Sequence, residues 1–240
     1  MRIGFKRREL LRRYNVPSIQ EDAWHTYSGQ KTLAFVAKQL PNPASRFAWL
    51  MNAGAGVYEL RLPGWKEVAL DLFTVPILNR RRAVCASVEQ LPFQAQTFGA
   101  IVCVGEVLAY CDPALAIREF ARVLAPSGIL ICDFGSSRSF RYWLSQSYGR
   151  TADLVVDSYN GAPEKIWIYD PEYMKALLIS SGFEIAAKYG THSWSALARW
   201  FGAPVSTALS VQKHLEWLKL PSGWADLMTI SAVRVAGARG

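Results

Sequence analysis

Residues 86–134 constrain this chain more than any other stretch. They hold two apolar runs, 100–104 and 129–134, on either side of one well-punctuated helical segment. Asp112 can cap that helix and Pro113 suits its first position. Ile117, Phe120, Ala121 and Leu124 recur at helical spacing on one face, and Pro126 and Gly128 stop it. Strand, helix and strand in so short a span make a βαβ unit, so the two strands should be parallel and buried on both faces. A Leu91-Pro92-Phe93 turn precedes the first strand and Gly105-Glu106 follows it. In open α/β sheets ligands bind at such carboxyl ends of strands.

The region upstream reads as the other half of such a sheet. Residues 46–51 are a plausible first strand, followed by Asn52-Ala53-Gly54-Ala55-Gly56. Glycine suits a turn where backbone must approach a ligand and a Cβ would obstruct it. Residues 67–72 read as the next strand, with Asp71 and Leu72 at its end; a carboxylate there can accept from both ribose hydroxyls. Leu62-Pro63-Gly64 cuts short any helix after Gly56.

In order and spacing, Leu91-Pro92-Phe93, Glu106-Val107-Leu108 and Arg122-Val123-Leu124-Ala125-Pro126-Ser127-Gly128 resemble the class I S-adenosylmethionine-dependent methyltransferases, especially those acting on small molecules. The resemblance implies an α/β fold: a doubly wound, seven-stranded, mostly parallel Rossmann-like sheet in which residues 227–235 insert antiparallel beside the fifth strand. It implies S-adenosyl-L-methionine as cofactor, with the loop residues Asn52, Ala53, Gly54 and Gly56 around it. Asp71 and Leu72 would meet the ribose, Ser87, Val88 and Glu89 the adenine, and Val104 and Gly105 would lie beneath. An N-terminal helical lid over residues 1–40 would cover the cofactor with an aromatic residue, Tyr27, with Trp24 and His25 nearby. Segments 138–165 and 194–220, rich in aromatics, would cap the acceptor pocket of one domain spanning 1–240.

The sequence departs from the family in three places. By this alignment Leu50 stands where the family has an acid, Asn52 where it has its first glycine, and Ser87 where it commonly has Asp. Direct displacement at a sulfonium methyl needs alignment and dryness rather than a triad or a metal, and no metal-ligand spacing is visible. Glu106 and His192 are the leading candidates for a base, ahead of His25, His214 and Tyr110. The expected activity is methyl transfer to a small aromatic or lipid-like acceptor. Two alternatives stay open: a methyltransferase fold that has given up methyl transfer, and a basic surface that binds RNA or an anionic membrane.

The third reading rests on a net charge of +8, concentrated in residues 2–13 and in Arg80-Arg81-Arg82. No nucleic-acid motif accompanies these clusters, so nucleic acid is not the expected partner; residues 2–14 could form a basic helix lying on the fold or touching a membrane from outside. No apolar run spans a bilayer and no signal segment follows the N-terminus, which suggests a cytoplasmic protein. The four cysteines lack paired spacing and read as reduced, small hydrophobes.

Overall fold

The computed structural model describes residue 14 and residues 22–43, 48–56, 58–159 and 162–236. The basic segment 2–13 and residues 44–47, the start of the expected first strand, lie outside them. A helix α1 (Ala23–Gln39), capped by the Asp22 carboxylate on the Trp24 and His25 N–H groups, precedes the sheet. Strands β1 (Trp49–Ala53), β2 (Lys66–Asp71), β3 (Ala83–Cys85) and β4 (Phe98–Cys103) follow. Helix α2 (Pro113–Val123) leads into β5 (Leu124–Ser136), a hairpin of β6 (Ala152–Tyr159) and β7 (Ala162–Tyr169), and helix α3 (Pro171–Ser180). Strand β8 (Phe183–Thr191), helices α4 (Ser193–Trp200) and α5 (Val205–Leu215), and β9 (Leu227–Arg234) complete the order.

The strands run β3-β2-β1-β4-β5, all parallel; β9 lies antiparallel to β5, and β8 antiparallel to β9. These seven form the expected doubly wound core, with the last strand inserted beside the fifth. Among the described residues the sheet nonetheless has nine strands. The additional two are β6 and β7, joined to the carboxyl end of β5 through Gly135↔Ile168 and Ser136↔Tyr169. They occupy much of the stretch expected as a cap. Val155 and Val156 in β6, and Ile166, Trp167 and Ile168 in β7, are strand-favouring residues that pair better on a neighbour's edge than they would as a loose cap.

The βαβ unit forms as its punctuation demands. Asp112 caps α2 by accepting from the Ala114 and Leu115 N–H groups, and Pro113 sits in the first turn. Ile117, Phe120 and Ala121 are buried against Ile101, Cys103 and Leu130 in the main core. The helix closes at Val123, before Pro126, because Leu124 already pairs with Phe98 at the start of β5. Cys103, Cys111 and Cys132 are buried and unpaired, as is the exposed Cys85.

One contact explains why the Leu-Pro-Phe and Arg-Val-Leu words occur together. Arg122 donates from Nη1 to the Phe93 carbonyl (2.7 Å) and from Nη2 to the Leu91 carbonyl (2.9 Å). Glu119 holds the same guanidinium and accepts the Leu91 N–H at 2.7 Å. The pair pins a turn whose preceding residues, Ser87 and Val88, line the main crevice. Arg122→Ala removes charge-assisted bonds to two carbonyls; we expect a stability loss of about 2 kcal/mol, read by chemical denaturation.

Candidate active site

The carboxyl ends of β1, β2, β4 and β5 open into two adjoining chambers. The first, of about 200 Å³, is lined by Gly54, Gly56, Asp71, Leu72, Ser87 and Val88 and closed by Val104, Gly105, Val107 and Tyr110. The second, of about 510 Å³, shares Gly54, Val104, Gly105 and Tyr110 with it and extends under α1 to His25, Ser28, Thr32, Asn52, Glu106 and Asp133. Behind Glu106 lies a water-sized polar cavity of about 20 Å³, walled by Trp24, His25, Arg141, Asp157, His192 and Asp226.

The glycine loop sits two residues later than the sequence suggested. Strand β1 continues through Ala53, whose backbone pairs with Leu70, and Leu50 is fully buried inside the strand. Leu50 therefore does not occupy the acidic position. The first loop glycine is Gly54, and the residue two before it is Asn52. Asn52 is buried and its amide donates to the Tyr58 carbonyl (3.0 Å) and to Glu67 Oε1 (2.9 Å). It fastens the loop to β2 with a neutral side chain and leaves its own oxygen as an acceptor. No helix forms among the described residues between Gly56 and β2; the chain passes through turns only.

Asp71 is buried at the end of β2, where it accepts the Gly56 N–H (2.8 Å) and the Phe73 N–H (2.9 Å). Burial raises its pKa, against those two hydrogen bonds. The Cβ positions of Gly56 and Gly105, both at positive φ, meet nothing within 4 Å, so the space they face is open. Ser87 accepts the Glu89 N–H and directs its hydroxyl toward Glu89 Oε2. Glu89 itself accepts the Asp112 N–H at 2.7 Å and, like Ala53, lines neither chamber. Tyr27 also turns away: it packs against His192, and the aromatic that reaches the crevice from the N-terminal side is Tyr14. The Tyr14 hydroxyl meets that of Tyr110 at 3.0 Å and donates to Glu164 at 3.0 Å.

Glu106 stands where the second chamber meets the small cavity. Its backbone is left-handed (φ 59), a strained conformation for a residue with a Cβ and of the kind that clusters at working sites, and it follows Gly105 at φ 87. Asp133 holds it there, accepting the Gly105 N–H at 2.9 Å and the Glu106 N–H at 2.8 Å. Burial raises Glu106 well above the carboxylate range, with Asp133, Asp157 and Asp226 adding to the rise and Arg141 opposing it. Asp133 is itself pushed up to about 6 by burial, against its two N–H bonds. Arg141 forks onto Asp157 and lies 3.6 Å from Asp226, whose other oxygen accepts from Ser139.

His192 lies in the small cavity's wall, and the arrangement there is that of a fixed structural group. It is 1% exposed, stacks on Trp24 at 3.8 Å, and burial pushes its pKa down to about 3. Its Nε2 faces the Trp24 carbonyl, so that nitrogen donates and Nδ1 accepts from Ser195. Both nitrogens are engaged and neither reaches the larger chambers. Sequence reasoning missed Asp133, Arg141, Asp157 and Asp226. A signal existed only for Asp133, a lone charge near the end of an apolar strand. Among the described residues no group of side chains is arranged to hold a metal ion.

Residues 51–132 match the family model of the methyltransferase domain. An S-adenosylmethionine dependent methyltransferase from Mesorhizobium loti superposes with a TM-score of 0.52 at 15% identity, over 85% of this chain and 96% of that one. The geranyl diphosphate C-methyltransferase of Streptomyces coelicolor, solved with Mg2+, geranyl diphosphate and S-adenosyl-L-homocysteine, gives 0.58 at 15% identity over 88% and 80%. The cyclase SpnF gives 0.58 at 17% identity over 93% and 87%. No curated protein matches the chain. The fold is that of the class I S-adenosylmethionine-dependent methyltransferases, and the residues that match the methyltransferase-domain model run from β1 into β5.

Proposed function

We propose that this chain transfers a methyl group from S-adenosyl-L-methionine to a small aromatic or lipid-like acceptor. The observation that carries the reading is the continuity of the two chambers past Gly54, Gly105 and Tyr110: a crevice that holds Asp71, Ser87 and Val88 opens into a second space walled by the N-terminal helix and Glu106. The residues fit the cofactor. Asp71 has unused lone pairs beside open space for ribose hydroxyls, the Val88 N–H and Ser87 flank the adenine side, and Gly56 and Gly105 leave the room a ligand needs. The Asn52 oxygen and the otherwise unpartnered, buried Thr32 hydroxyl lie at the methionine end.

When bound, the cofactor supplies an electrophilic methyl group and a good leaving group. The chain's part is to hold the acceptor in line with it and keep water out. Glu106 is the one carboxyl at the junction whose own oxygens accept no hydrogen bond among the described residues. An upward-shifted carboxyl suits a base that takes a proton from an oxygen, nitrogen or acidic carbon acceptor near neutral pH. His25, fixed by Nδ1 to Asp22 Oδ1 at 2.8 Å, faces the same chamber. Tyr14 and α1, which border the second chamber, act as its lid.

Calorimetric titration with S-adenosyl-L-homocysteine tests the cofactor reading, and we expect one-to-one binding in the micromolar range. Asp71→Ala removes the ribose acceptor and the anchor of the Gly56 N–H, and should weaken binding by about 10- to 100-fold, the worth of one or two charge-assisted hydrogen bonds. Silence with the native chain would remove the proposal. A second reading, a methyltransferase fold running another reaction, is favoured by the neutral Asn52 and by the likeness to a cyclase. It predicts cofactor binding without methylated product from any acceptor.

A further inference from the structure

From the surface beside the acceptor chamber we infer that this protein docks on anionic lipid membranes through an aromatic knuckle at the carboxyl edge of the sheet. The turn Phe140–Tyr142 follows β5, and α4 follows β8; both leave the same edge. Their distal parts meet. Trp143 packs on Trp200 at 5.2 Å and on Phe140 at 5.9 Å, Trp200 on Phe201 at 4.9 Å, and Phe140 on Trp224 at 5.3 Å. The Trp200 indole N–H donates to the Trp143 carbonyl, locking the two segments together. The outermost side chains are apolar: Leu144 is 80% exposed at a left-handed turn (φ 65), and Phe201 is 73% exposed just before Gly202.

Placing such side chains in water has no folding benefit, and the rigid indole and phenyl rings suit the headgroup boundary of a bilayer. The surrounding charge identifies the occupant. Residues 193–215 contain Arg199 and Lys213 and no acidic residue, and among the described residues Arg199 donates to the Ala203 carbonyl and meets no carboxylate. The arginines of residues 138–150 are already paired, Arg138 with Asp170, Arg141 with Asp157 and Asp226, and Arg150 with Asp153, so the cationic charge beside the knuckle is that of α4 and α5. A second copy docked symmetrically would oppose Arg199 to itself. Two protruding tips also offer little of the broad, flat area that a stable protein interface requires. Apolar tips with basic flanks match an anionic leaflet, where each cation adds to a shallow apolar insertion. The same two segments begin at Tyr142 and His192, in the wall of the cavity behind Glu106. A docked molecule would thus hold its acceptor side next to lipid. This inference does not depend on methyl transfer.

The test is flotation of the full chain with vesicles of phosphatidylcholine alone and of equal parts phosphatidylcholine and phosphatidylglycerol, at physiological salt. We expect binding to the anionic vesicles only. The double variant Leu144→Asp/Phe201→Asp, altered at exposed positions, should bind at least about tenfold more weakly with an unchanged unfolding midpoint. Arg199→Glu should weaken binding and flatten its salt dependence. Absence of vesicle binding by the native chain overturns the inference. So does undiminished binding by the double variant, which would assign attachment to another surface such as the basic residues 2–13. Self-association abolished by Phe201→Asp without vesicle binding would show instead that a second copy covers the knuckle.

Discussion

Glu106→Gln is expected to lower turnover by about 10²- to 10⁴-fold, the usual contribution of a positioned proton acceptor, while leaving the affinity for S-adenosyl-L-homocysteine within a few-fold. The amide keeps the shape of the side chain and the backbone N–H still reaches Asp133, so a fall in turnover would report lost basicity. The pH profile sharpens the test. Burial and three neighbouring carboxylates raise the Glu106 pKa. A raised pKa keeps the carboxyl protonated, and inactive as a base, to a higher pH than usual. The acid limb of kcat/KM should therefore lie above the ordinary carboxylate range near about 4.3, with activity rising as pH increases through it. In Glu106→Gln that limb should vanish. Arg141→Ala removes a cation that opposes the rise and should move the limb further up. An acid limb that Glu106→Gln leaves in place would transfer the role to His25.

Much of the scaffold was legible because its signals are local. The capped helix from Pro113 and the apolar runs around it carry their own punctuation, and a right-handed βαβ crossover leaves little topological choice. The place of Asp71 at the end of β2 was legible because the apolar run before it stops there. What failed to show depends on pairing between distant strands. Whether β1 ends at Met51 or Ala53 is decided by Leu70 and Val102 across the ladder, so the loop register slipped by two and misassigned Leu50 and Asn52. Tyr14 reaches the crevice through partners 96 and 150 residues away, a contact no spacing encodes. His192 looked titratable in sequence; only the fold reveals Trp24 and Ser195 occupying both nitrogens. The β6–β7 hairpin was obscured by the density of aromatic residues before it, which suggested a cap.

The corrected loop register makes its own demand on stability. Gly54 has φ 73, and a Cβ there would lie 2.2 Å from Val107 Cγ2. Gly54→Ala therefore carries two costs. A left-handed conformation penalises an L-residue by about 1–2 kcal/mol, and an extra methyl in a filled space adds about 1–3 kcal/mol. Val107 cannot simply rotate aside, since a β-branched side chain has few open χ1 wells, and it follows directly on the strained Glu106. We expect Gly54→Ala to lose about 2–5 kcal/mol of stability by denaturant titration, and to weaken cofactor binding because the methyl also narrows the first chamber. Val107→Ala alone should cost less and leave the loop in place. Combined with Gly54→Ala it clears the collision but not the left-handed strain. The pair should then show a favourable coupling of about 1–2 kcal/mol, with stability short of the native value. Full additivity would mean that Gly54 is required for its backbone conformation alone, and that the loop does not press on the segment that positions Glu106.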